Sequence, residues 1–161
     1  MKSSFTLALA LGLLFGGAGL STTGCAKKKA PESVEPGSNF TVGLSKAELL
    51  RRETTTVREF DQIRYTLDLN NGLTGGAVKV DKIEFSYGIG ERDIGTETVT
   101  PAVSVDAGGK ASTTVIGRFE WRETSTMPEG DAWIKGTVYW TGPNAARTTP
   151  FDLSTAYTAV E

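Results

Sequence analysis

Over most of the chain, apolar and polar residues alternate one for one. In "TTTVREFDQIRYTLDL", Ile63, Tyr65, Leu67 and Leu69 are separated by Arg64, Thr66 and Asp68. Period two buries one set of side chains and leaves the other in water, so this segment reads as a strand. It ends at "NNGLTGG", where Asn and Gly accept the positive φ of a tight turn. The next run, "AVKVDKIEFSYGIG", places Ile83, Phe85, Tyr87 and Ile89 on one face. "ERDIGTETVTPAVSV" then predicts one or two shorter strands, interrupted by Pro101, which has no N–H for a ladder. Beyond the turn "DAGGK", the run "ASTTVIGRFEW" sets Val115, Phe119 and Trp121 on one side, with Gly117 between them. A loop over residues 122–131 separates it from "AWIKGTVYWTG", where Ile134, Val138 and Trp140 oppose Trp133 and Tyr139. "PFDLSTAYTAV" is the last strand.

One early segment does not fit the alternation cleanly. In "LSKAELLRRE" (Leu44–Glu53), Ser45 and Glu48 have the spacing of a helix capping box, and Ala47, Leu49 and Leu50 suit a short helix. The same residues make an opening strand if Leu44 and Leu49 point inward. With no helix longer than about ten residues anywhere among the strands, the pattern predicts an all-β, antiparallel β-sandwich.

Composition narrows the chemistry. The 161 residues suffice for one domain, and they include no histidine and a single cysteine, Cys25. Zinc sites built on Cys and His, Ser-His-Asp triads and Cys-His dyads are thereby excluded, and no enzymatic activity is expected. From residue 40 onward there are 13 basic and 17 acidic residues, a net charge of −4. Mild acidity without a basic run argues against nucleic acid as a partner.

The amino terminus carries its own signal. Met1 and Lys2 precede the apolar run "FTLALALGLLFGGAGL" (Phe5–Leu20), and the small residues "STTG" lead to Cys25. "LSTTGC" resembles the lipobox of bacterial lipoproteins: Gly24 and Thr23 suit the places before the cysteine, while Thr22 stands where the pattern has leucine. The resemblance implies a signal peptide at 1–24, cleavage before Cys25, and lipid on its thiol. The partner is then a membrane, and the location the bacterial cell envelope. Ala26, in place of the aspartate associated with inner-membrane retention, implies the outer membrane, facing the periplasm. Residues 25–39 follow as the lipidated cysteine and a Lys-, Pro-, Ser- and Gly-bearing tether. As a random coil its 14 residues after the cysteine span roughly 20 Å.

Residues 40–161 form the expected domain. "FDQIRYTLDLNNGLTGGAVKVDKIEFSYGIGERDIGTETV", "SVDAGGKASTTVIGRF" and "WIKGTVYW", in that order, resemble the WHy domain of the late embryogenesis abundant type 2 family. Leu69–Gly72 ("LNNG") occupies the place of that family's Asn-Pro-Asn turn. The resemblance implies an Ig-like or fibronectin III-like sandwich of about seven strands with one short helix, no cofactor, and a stress- or desiccation-protective or binding role. An alternative from a different class is an accessory lipoprotein that docks a protein partner of an outer-membrane or secretion complex, using a sheet edge or an aromatic surface.

Few side chains present themselves as a site. Asn70, Asn71 and Gly72 read as a hairpin turn. Glu91, Asp93 and Glu97 read as a solvated strand face, since their spacing matches no calcium loop. Gly88-Ile89-Gly90 lacks the Lys, the Ser/Thr and the helix of a phosphate loop. Trp133 and Trp140 have opposite parity on one strand, so one of them points outward. With Tyr139 they are the candidate ligand or partner surface.

Overall fold

The computed structural model describes residues 32–33, 39–52, 59–122 and 126–160. The expected signal segment, Cys25 and all of the expected tether but Glu32, Ser33 and Asn39 lie outside them. Ten strands occur in chain order: β1 (Glu32–Ser33), β2 (Phe40–Arg51), β3 (Glu59–Asn71), β4 (Val78–Ile89), β5 (Arg92–Val99), β6 (Ser104–Val105), β7 (Lys110–Arg122), β8 (Ala132–Thr141), β9 (Ala146–Thr155) and β10 (Tyr157–Val160). One sheet runs β1-β9-β8-β4-β5, with β6 also on β4; the other runs β10-β2-β3-β7. Long neighbours are all antiparallel, and only β1 on β9 and β10 on β2 are parallel.

The expected sandwich is what forms, and its seven strands of eight or more residues match the expected number. Among the described residues there is no helix, and of the two forms open to Leu44–Glu53 the strand is the one present up to Arg51. Leu44–Arg51 continues β2, with Ala47 opposite Tyr65 and Leu49 opposite Ile63. A helix of ten residues is marginal alone, whereas here the backbone is paired by β3 on one side and β10 on the other. The residues that mimic a capping box take other tasks. Ser45 sits at a bulge and donates to the Thr66 carbonyl at 3.3 Å. The Glu48 carboxylate is held by Lys46 at 2.6 Å and Arg64 at 3.7 Å.

Period two is honoured across the core. Ile63, Tyr65, Leu67 and Leu69 face Ile83, Phe85, Tyr87 and Ile89 across the sandwich, and all eight are buried. Phe40 packs on Trp140, and Phe60 on Trp121, with ring centroids 5.1 and 5.5 Å apart. Aromatic burial of this kind supplies large apolar area from few residues, which suits a thin two-layer core.

Two polar side chains tie the layers together through the core. Tyr65, on β3, donates to the Trp133 carbonyl at 3.1 Å and lies 3.4 Å from that of Gly88, both in the opposite sheet. Burial pushes its phenol well above the ordinary range, so it stays protonated and a donor. At the end of β3, Asn71 is wholly buried. Its amide nitrogen lies 3.0, 3.0 and 3.1 Å from the carbonyls of Gly76, Val105 and Asp106, which share its two N–H donors, and its oxygen accepts from Leu73 N–H. The predicted turn at "NNG" is therefore also a knot that binds the β3–β4 connection and the end of β6 to one side chain.

Candidate functional site

Alternation that buries one face of β4 and β8 leaves the other face outward. On β4 the outward residues are Lys82, Glu84 and Ser86; on β8 they are Trp133, Lys135, Thr137 and Tyr139. Pairing sets Lys82 beside Tyr139, Glu84 beside Thr137, and Ser86 beside Lys135. The flanking strands continue the rows: Thr98 and Thr96 on β5 stand beside Glu84 and Ser86, and Asp152 on β9 stands beside Lys135. The result is a flat face about four strands wide, or some 15 Å at roughly 4.8 Å per strand.

The structure divides the three expected surface aromatics. Tyr139 and Trp133 lie on this outer face and are half-buried. Trp140 does not belong with them: it is 2% exposed, packs on Phe40, and donates its indole N–H to the Thr149 hydroxyl at 2.9 Å. An odd and an even position on one regular strand cannot share a face. Trp133 is fixed in place. Its indole N–H donates to the Gly90 carbonyl at 3.0 Å, and its ring lies over Gly88, where any Cβ would overlap it. The glycines of Gly88-Ile89-Gly90 thus make room for an aromatic ring and close the β4–β5 turn.

Each outward aromatic carries a lysine. Lys82 Nζ is 4.1 Å from the Tyr139 ring centroid, and Lys135 Nζ is 4.7 Å from that of Trp133. Such cation–π contacts are weak at exposed positions, where water screens the cation. Each lysine also has a carboxylate: Lys82 bonds Glu84 at 2.6 Å, and Lys135 lies 3.9 Å from Asp152. Glu84 is shared, because its second oxygen accepts from the Tyr139 hydroxyl at 2.7 Å. The hydrogen bond from Lys82, then that from Tyr139, holds the Glu84 carboxyl below its ordinary range. The bond to Glu84 in turn raises Lys82 and Tyr139. Lys82, Glu84 and Lys135 were not singled out from sequence. Their outward parity is legible there, but their partnership with Tyr139 and Trp133 depends on the β4–β8 register.

The remaining candidates separate. Glu91 and Asp93 are exposed at the β4–β5 turn, while Glu97 faces inward at the β5 edge. Among the described residues no three metal-ligating side chains gather. Asn70 is exposed and Asn71 buried, so only one of the pair organises the turn. A shallow hollow of about 650 Å³ lies on the other sheet, lined by Thr41, Gly43, Asp68, Asn70, Lys110 and Ser112 among others. Within it Ser112 already donates to Asp68 at 2.8 Å.

No protein-family model matches the chain, and no curated protein matches it. Solved structures do. An X-ray structure of a Northeast Structural Genomics Consortium target is 13% identical, with 73% of this chain and 87% of that chain covered and a TM-score of 0.48. A crystal structure described as that of an ApaA protein from Bordetella pertussis is also 13% identical, with 73% and 93% covered and a TM-score of 0.47.

Proposed function

We propose that the protein is a non-catalytic lipoprotein of the bacterial cell envelope, anchored through Cys25, in which a WHy-like sandwich has a stress-protective or binding role. The observation that carries the binding side of this reading is the outer face of β5-β4-β8-β9. It offers the hydroxyls of Thr96, Thr98, Ser86 and Thr137 beside two aromatic rings, and its lysines are matched by Glu84 and Asp152. A surface whose charges close on one another gains little from a charged ligand. It suits neutral, hydroxyl-rich matter, meaning glycan or an ordered layer of water. Survival after drying tests the role: a strain lacking the gene should recover worse than its parent, and equal recovery counts against protection. The mass of the mature N-terminal peptide tests the anchor, and an unmodified Cys25 there would rule it out.

Docking of a protein partner is the second reading, favoured by the edge at β9. Among the described residues its outer side pairs with the two residues of β1, at Arg147 and Thr148, and strand addition along the rest of that edge is the route such a partner would use. A photocrosslinker at Ser154 on β9, with one at Thr114 on the opposite sheet as control, distinguishes the readings. A stoichiometric protein adduct from Ser154 alone supports docking, and none from either site supports a stand-alone domain.

A further inference from the structure

The Asn71 knot has a chemical consequence independent of any role in the envelope. Asn71 is followed by Gly72, the only Asn-Gly pair in the chain. In a mobile chain that pair is reactive. The deprotonated amide nitrogen of the glycine attacks the side-chain amide carbon, the bond to the side-chain nitrogen breaks, and ammonia leaves. The five-membered succinimide then takes up one water at either carbonyl, giving aspartate or its backbone-lengthened isomer. Glycine favours this because no side chain hinders the approach.

Each participant in that reaction is restrained in the folded protein. Gly72 N–H donates to the Asn39 carbonyl at 2.8 Å, so the nucleophile keeps its proton and its direction. The leaving nitrogen is held by three carbonyls and the amide oxygen by Leu73 N–H. The side chain is wholly buried, which excludes the hydrolytic water. The same arrangement that slows the reaction makes its product intolerable. Aspartate would place an anionic oxygen against the carbonyl oxygens of Gly76, Val105 and Asp106, where the amide supplied the donors. Acceptors facing acceptors without solvent carry the full desolvation cost. The isomer would also add a methylene to the backbone where Asn71 pairs with Phe40.

We propose that Asn71-Gly72 is a fold-gated modification site: native packing suppresses deamidation, opening of the knot permits it, and the deamidated chain re-forms the fold with sharply lowered stability or not at all. An episode of unfolding is thereby recorded as an irreversible change in the molecule.

The test uses the intact chain held at mildly alkaline pH, with and without denaturant, followed by peptide mapping by mass. Deamidation at Asn71 should be at least tenfold slower in the native protein. After denaturant removal, deamidated chains should fail to refold or should unfold at a sharply lower midpoint. Equal rates in both conditions would overturn the gating, and deamidated chains that refold with unchanged midpoint would overturn the irreversibility. Asn71→Asp and Asn70→Asp separate charge from position. The first should lower the unfolding midpoint sharply or fail to fold, and the second, at an exposed site, should leave it unchanged. Equal effects of the two would also refute the proposal.

Discussion

The Tyr87 hydroxyl, in one sheet, closes the backbone of Arg118 in the other. It accepts from Arg118 N–H at 2.8 Å and donates to the Arg118 carbonyl at 3.1 Å. Among the described residues strand β7 is the edge of its sheet, paired by β3, and an edge strand presents unpaired amides that another chain can use. Tyr87 therefore joins the layers and occupies the free edge in one act. It reaches Arg118 only because Gly117 is bare, since a Cβ there would fall inside the Tyr87 ring. Tyr87→Phe should lower stability by about 1–2 kcal/mol through loss of both bonds, and Gly117→Ala by about 1–3 kcal/mol through overpacking. Urea unfolding measures both. Tyr87→Phe should in addition promote self-association, read by sedimentation.

Which of these features the sequence discloses depends on how far apart the partners lie. Alternation is local, so the inward sets on β3, β4, β7 and β8 are readable directly, and so is the division of Trp133 from Trp140. The conformation of Leu44–Arg51 is not local. Its helical and extended forms are balanced until β3 and the C-terminal β10 supply backbone partners, the latter more than a hundred residues away. Register is hidden for the same reason. A bulge between Val80 and Lys82 sets Lys82 beside Tyr139, and nothing in the alternation announces it. Gly117 within an otherwise large-residue strand face is a readable sign of close approach, but Tyr87 as the group approaching is not.

All four tyrosines favour the neutral form. Burial raises Tyr65, Tyr87 and Tyr157, and the bond to Glu84 raises Tyr139. The folded protein therefore holds these protons more tightly than the unfolded chain, whose phenols titrate near pH 10. The stabilisation is present in full below that pH and is lost as pH rises from there through the folded pKa values. Lys82, raised by its bond to Glu84, adds a contribution of the same sign. Urea midpoints should fall above about pH 10, and midpoints that hold level through that range would contradict this.

Glu84→Gln isolates the surface cluster from the fold. Loss of the carboxylate removes the charge that holds the Tyr139 proton and the partner that raises Lys82. Tyr139 should then titrate closer to a free phenol, which ring-carbon NMR can follow residue by residue. Stability should change little, because exposed ion pairs contribute little. A large loss of stability would mean that this face is part of the scaffold and unavailable as a working surface.

Trp133→Ala and Trp140→Ala provide the sharpest separation of surface from core. Trp140 is nearly inaccessible and packs on Phe40, so its truncation should cost about 3–5 kcal/mol. Trp133 keeps one side toward solvent while its N–H bonds Gly90. Its truncation should cost about 1–2 kcal/mol, chiefly the lost hydrogen bond and part of the ring's packing over Gly88. If the outer face is where the protein acts, Trp133→Ala and Tyr139→Ala should abolish glycan binding or desiccation protection while the domain stays folded. Thr114→Ala, on the outer face of the other sheet, should leave both intact. Equal loss from Thr114→Ala would show that activity does not reside in the arrangement of Trp133, Tyr139 and their lysines, and would move the search to the β3–β7 sheet.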